Sequence, residues 1–156
     1  MTKTAFKTAD VVSLIPHGLG AGTEVLTADG VQPVDYLGIG DRIVTRNGLR
    51  VLRGVTCRTL TDAAMVCVGA DMLGVGRPAA DILLSPGQPV LIRDWRARVL
   101  FGAATAMVPA SRLVDGQSVR RVIVPDVRLF ALHFDRPEVI YGSGLELGCT
   151  PETVTA

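Results

Sequence analysis

Turn signals cut this sequence into apolar runs too short for helices of useful length. Thr23-Glu24-Val25-Leu26-Thr27-Ala28 runs into Asp29-Gly30, and Arg42-Ile43-Val44-Thr45 runs into Arg46-Asn47-Gly48. Asp-Gly and Asn-Gly tolerate the positive φ of a two-residue hairpin turn, so each pair predicts a strand, a turn and a returning strand. The first return covers residues 31–34. The second is expected over residues 49–60, with Val51, Val55 and Cys57 on one period-two face. Residues 64–68 read as a buried strand and 69–78 as a Gly-rich loop. Residues 81–86 lead into a strand near 89–93, and further strands are expected at 99–101, 119–124, 126–134 and 138–141. Residues 34–41 and 108–113 have the pattern of single helical turns. The sum is an all-β fold of about ten short strands with one or two short helical turns.

At 156 residues the chain suits one domain, and its 48% hydrophobic content predicts a packed core. The expected division is an N-terminal arm or first strand at 1–17, a β domain at 18–145 and a tail at 146–156. Val11, Val12, Leu14 and Ile15 give the first segment an apolar patch.

Formal net charge is +1, which argues against bulk nucleic acid as a partner. All but Lys3 and Lys7 of the 16 basic residues are Arg, the cation suited to bidentate and stacked contacts. No run is long and apolar enough for a membrane span. The first ten residues lack the apolar stretch of a signal peptide, so synthesis in the cytoplasm is expected, with the compartment unassigned.

Chemistry-bearing residues are sparse. Cys57, Cys67 and Cys149 form no C-x-x-C pair and are too few for a disulfide framework; Cys57 and Cys67 are expected in the core. His17 and His133 are the sole histidines, so neither a metal site nor a cofactor is expected. Gly18-Leu19-Gly20-Ala21-Gly22 fails as a dinucleotide fingerprint, because Thr23 stands where the third glycine belongs. A G-x-S-x-G elbow is absent. Arg93-Asp94-Trp95-Arg96-Ala97-Arg98 holds the sole Trp between arginines. Arg93, Trp95, Arg96 and Arg98 are therefore candidate interface residues, since Trp and Arg are enriched at hot spots. The same hexapeptide also reads as a solvated loop whose Trp caps the core.

Five segments, in order, resemble the Hint (Hedgehog/intein) family in its stand-alone bacterial form. They are Gly22-Thr23-Glu24-Val25-Leu26-Thr27-Ala28-Asp29-Gly30, the block from Val34-Asp35-Tyr36-Leu37 through Gly40-Asp41-Arg42-Ile43-Val44-Thr45, Arg77-Pro78-Ala79-Ala80-Asp81-Ile82-Leu83-Leu84-Ser85-Pro86, Val108-Pro109-Ala110-Ser111-Arg112-Leu113-Val114-Asp115-Gly116, and Phe134-Asp135-Arg136-Pro137-Glu138-Val139-Ile140-Tyr141. The resemblance covers about residues 16–145.

That resemblance implies self-processing chemistry, in which a thiol or hydroxyl at the domain's first position attacks the preceding carbonyl. Here that position, four before Gly22, is Gly18. The family's Thr-x-x-His, whose His exchanges the proton, matches Ser85-Pro86-Gly87-Gln88. The terminal Asn of splicing members has no counterpart, since Asn47 is the sole Asn. Ser13 and Cys149 lie too far from the aligned position to take its place. The expectation is a catalytically inactive Hint-like domain with degenerate positions Gly18, Ser85 and Gln88. It would serve as a structural or adaptor subunit of a larger assembly, such as a bacterial surface structure or a phage-like particle, with protein partners that include further copies of itself. The alternatives are residual autoproteolysis near residue 18 and a carbohydrate- or ligand-binding β-module with Trp95 as the stacking platform.

Overall fold

The computed structural model describes residues 17–72, 74–78 and 80–149. Within them, β1 is Leu19–Gly20, β2 Glu24–Thr27, β3 Gly30–Pro33, β4 Arg42–Thr45, β5 Gly48–Val51 and β6 Gly54–Val68. Then come β7 Ile82–Leu84, β8 Pro89–Ile92, the helix α1 Trp95–Phe101, β9 Ala106–Pro109, β10 Val119–His133, β11 Glu138–Gly142 and β12 Leu145–Cys149. Two 3-10 turns, Val34–Tyr36 and Ala110–Leu113, complete the order. The all-β class holds.

Both early hairpins form at the expected turns, with Thr27 opposite Gly30 and Thr45 opposite Gly48. A shared device closes them. The Thr27 hydroxyl donates to the Gly30 carbonyl at 2.6 Å and accepts from the Asp29 N–H at 3.1 Å. Thr45 repeats this with Gly48 and Asn47 at 2.7 and 3.0 Å. Gly30 and Gly48 adopt φ of 102° and 91°, values that favour glycine.

Two sheets result. β1, β10, β6 and β7 close into a four-stranded ring. The other sheet has the order β3-β2-β4-β11-β12-β8-β9, with β5 branching from it as a further partner of β4. Leu19, Val66, Leu84 and Phe130 from the ring meet Ile43, Val90, Ile140, Leu145 and Leu147 from the larger sheet in one buried cluster. Met65, Val127 and Leu129 make a smaller cluster on the long β6–β10 ribbon.

Several boundaries differ from the sequence reading. The strand expected at 49–60 is broken, because Leu52 turns inward and bonds to the loop: its N–H donates to the Asp41 carbonyl and its own carbonyl accepts from Gly40. The chain then restarts as β6, which absorbs residues 64–68. Likewise 119–124 and 126–134 merge into β10. The ribbon skips Pro125, which has no N–H to offer, opposite Asp62 at φ 50°. Residues 99–101 are the end of α1, not a strand. The Asp94 carboxylate accepts from the Arg96 N–H at 3.0 Å, and Gly102 closes the helix in the left-handed conformation. The boundary expected at 145/146 falls inside β12, which is buried throughout and pairs with β11 and β8. Cys57 is exposed, against expectation, whereas Cys67 is buried. Of the N-terminal segment only His17 is described; Val11, Val12, Leu14 and Ile15 lie outside the described residues, as does 150–156.

Candidate functional site

Gly18 enters β1 with both backbone groups engaged. Its N–H donates to Gln88 Oε1 at 2.9 Å, and its carbonyl accepts from the Ser85 N–H at 3.0 Å. Ser85-Pro86-Gly87-Gln88 is the tight link between β7 and β8, closed by the Gln88 N–H on the Ser85 carbonyl at 3.0 Å. The fold thus brings Gly18, Ser85 and Gln88 together, across 70 positions of chain between Gly18 and Gln88.

The Gln88 side chain is 2% exposed. Its Nε2 donates to the Gly148 carbonyl at 2.8 Å and to the Pro89 carbonyl at 3.0 Å. The amide therefore accepts once and donates twice, which fixes its orientation. This arrangement can hold the 17–18 peptide unit in place. It cannot supply a proton near neutral pH, because a carboxamide does not titrate there.

A small pocket of about 10 Å³ lies beside this centre, with His17, Gln88, Phe130, Gly148 and Cys149 in its wall. Burial, and then the nearby His133, holds His17 below its ordinary value of 6.5. Its Nδ1 is buried without a hydrogen-bond partner among the described residues. His133 Nε2 lies 2.7 Å from the Thr56 hydroxyl. Distance along the chain misled the reading of Cys149, because β12 carries it into the pocket wall. Burial, and secondarily the charge of Glu138, pushes its thiol up to about 12, so it stays protonated at neutral pH. Ser13 lies outside the described residues.

The candidate interface residues do not form one cluster. Arg93 follows β8 and donates to Glu146 Oε1 at 2.6 Å. Trp95 is the first residue of α1 and 62% exposed, so it does not cap the core. The Arg96 guanidinium lies 4.7 Å from its ring centroid and also pairs with Asp94. Arg98 is exposed in the last turn of the helix. Among the described residues, no group of three or more His, Cys, Asp or Glu is placed to hold a metal ion, and no helix is long and apolar enough to cross a membrane.

The family model for the Hint domain matches residues 18–150. Among solved structures, the chain is similar to a bacterial intein-like domain from Clostridium thermocellum, at 15% identity and a TM-score of 0.61, over 85% of this chain and 97% of that one. It is also similar to a DnaB intein from Synechocystis sp. PCC 6803, at 9% identity and a TM-score of 0.60, over 86% and 99% of the two chains. At these identities the likeness establishes the fold. No curated protein matches the chain.

Two stability measurements probe the centre. Gln88→Ala strands the buried Gly18 N–H and Gly148 carbonyl, and should cost about 2–4 kcal/mol in urea unfolding. His17 is favoured neutral in the fold, whereas the unfolded chain takes up a proton there as pH falls through about 6.5. The stability His17 contributes is therefore present above that pH and lost as pH falls toward its lower folded value. The urea midpoint should fall over that window, and His17→Gln should make the fall shallower.

Proposed function

The chain belongs to the Hint-domain family, and from that premise we propose that it is a member that holds the processing geometry without cutting. The single observation that carries this reading is the hydrogen bond from the Gly18 N–H to Gln88 Oε1 at 2.9 Å. Breaking the 17–18 amide by the family's route requires a thiol or hydroxyl at position 18, attacking the carbonyl of residue 17, and a group that protonates the departing nitrogen. Gly18 brings no nucleophile. Gln88 reaches the right nitrogen, but as a hydrogen-bond acceptor with no proton to give. Gly18, Ser85 and Gln88 are on this reading the degenerate stations of that site.

The function that remains is binding. We assign it to a structural or adaptor subunit, in a setting such as a bacterial surface structure or phage-like particle. The supporting feature is the outer face of α1, where Trp95, Val99 at 70% exposure and Leu100 stand in solvent beside Arg98. Exposed apolar side chains grouped on one short helix favour a protein partner. A glycan stacked on Trp95 is a weaker alternative, since Arg96 already lies over the ring.

Slow self-cleavage remains the competing reading, favoured by the Cys149 thiol in the pocket wall beside His17 and opposed by its protonation. Intact mass after prolonged incubation, with and without added thiol, separates the two. The full mass should persist. A new fragment starting at Gly18 would overturn the proposal, and its loss in Cys149→Ala would identify the nucleophile. Light scattering on the same sample reports whether copies of the chain associate.

A further inference from the structure

Three arginines converge on one buried carboxylate away from the Gly18 centre. The Glu146 side chain is 7% exposed. Arg93 Nη2 donates to its Oε1 at 2.6 Å, Arg77 Nη2 lies 3.6 Å from Oε2, and Arg46 Nε lies 3.7 Å from Oε1. They come from separate elements: the β4–β5 turn, the loop before β7 and the residue after β8. One hydrogen-bonded arginine is enough to pair a carboxylate. The other two leave the group with a surplus of two positive charges. Among nearby carboxylates, Glu138 is paired with Arg50 and Asp94 with Arg96, while Asp71 in the Arg77 loop accepts from the Gly76 N–H.

The group is also held rigidly. Glu146 sits opposite Tyr141 across the β11–β12 hairpin and opposite Leu91 of β8. Arg77 Nε donates to the Gly144 carbonyl at 3.1 Å. Gly144 adopts φ +86°, and a Cβ there would lie 2.3 Å from the Gly76 carbonyl oxygen. The loop backbone therefore rests directly on the hairpin turn and fixes where Arg77 begins. Arg77, Arg93, Tyr141, Gly144 and Glu146 line an open depression of about 290 Å³. All three guanidiniums stay half-exposed, with N–H donors beyond those spent on Glu146 and Gly144.

We propose that this depression binds a small dianion, a phosphate or a dicarboxylate, whose oxygens take the free N–H donors of Arg77 and Arg93 while Glu146 holds the guanidiniums in place. Two positive charges in excess match a dianion, and a planar guanidinium pairs with either carboxylate or phosphate through two parallel bonds. The Tyr141 side adds a wall that a bare arginine patch lacks. The proposal is independent of whether the domain cleaves.

Calorimetric titration of the full chain with inorganic phosphate, and separately with succinate, tests it. At about 0.15 M salt, where diffuse attraction between exposed charges is screened, at least one should bind saturably with one site per chain. The one that binds identifies the ligand as phosphate-like or dicarboxylate-like. Arg77→Gln and Arg93→Gln should each weaken binding about tenfold or more, and Arg77→Lys should fall between. Arg121→Gln, on the exposed side of β10, should change nothing. Arg77→Gln leaves the Arg93–Glu146 bond intact, so the test stands even if Arg93→Gln does not fold. Absence of saturable binding by both anions up to about 10 mM, or equal affinity in Arg77→Gln and the parent, would overturn the proposal.

Discussion

The Gln88 carboxamide joins the two sheets at one buried point. It takes the Gly18 N–H at the mouth of the four-stranded ring and gives its own hydrogens to Gly148 in β12 and to Pro89 at the start of β8. A buried polar side chain costs stability unless its groups are paired, and here both ends of the amide are used. Satisfied in this way, it favours one arrangement of β1, β8 and β12 over others the surrounding Leu and Val side chains would accept equally well. The Ser85 turn that positions Gln88 is anchored in the same place, through Ser85 N–H on the Gly18 carbonyl. The segment proposed to match the Hint family's histidine block is thus also the joint between the ring and the larger sheet. On the proposed reading, a polar side chain is needed at position 88 whether or not the centre reacts.

Charge is handled by a second rule. Glu138 and Glu146 are both buried, one in each strand of the last hairpin. Arg50 and Asn47 meet Glu138, and Arg46, Arg77 and Arg93 surround Glu146. A buried carboxylate without partners would be strongly destabilising, and the arginine side chain can pair with it while leaving donors facing outward. The arginine bias in composition therefore has a local use in this fold. It stabilises the hairpin and concentrates unspent positive charge at one of its ends.

Local signals carried much of the fold. Asp29-Gly30 and Asn47-Gly48 placed two hairpins, because a positive φ at glycine is a property of the turn itself. The resemblance to the Hint family, carried onto Gly18 and Ser85-Pro86-Gly87-Gln88, named residues that meet in space although far apart in sequence. Features set by partners at a distance were not legible. β12 looked like a tail because Leu145-Glu146-Leu147-Gly148-Cys149 mixes a charge and a glycine into an apolar run, and its Glu is tolerated only beside arginines from three other segments. The Ser143-Gly144 pair before it was the available signal. α1 was hidden because Val99-Leu100-Phe101 reads as a strand unless the Asp94 cap and Gly102 stop are weighed first. Cys149 joined the pocket through the same strand pairing that hid β12.

A thiol at position 18 and an imidazole at position 88 test directly whether this centre has the geometry of a processing site. Gly18→Cys with Gln88→His places a thiol and an imidazole where the amide contact now stands. A Cβ at residue 18 would come within 3.3 Å of Leu129, a contact that a shift of a few tenths of an ångström relieves. The double variant, shown to be folded by circular dichroism, is incubated with added thiol and followed by intact mass. A thiol-dependent fragment that starts at residue 18 is expected, with none from the parent chain. A folded double variant that keeps its full mass would contradict the claim that this centre retains the geometry of a processing site.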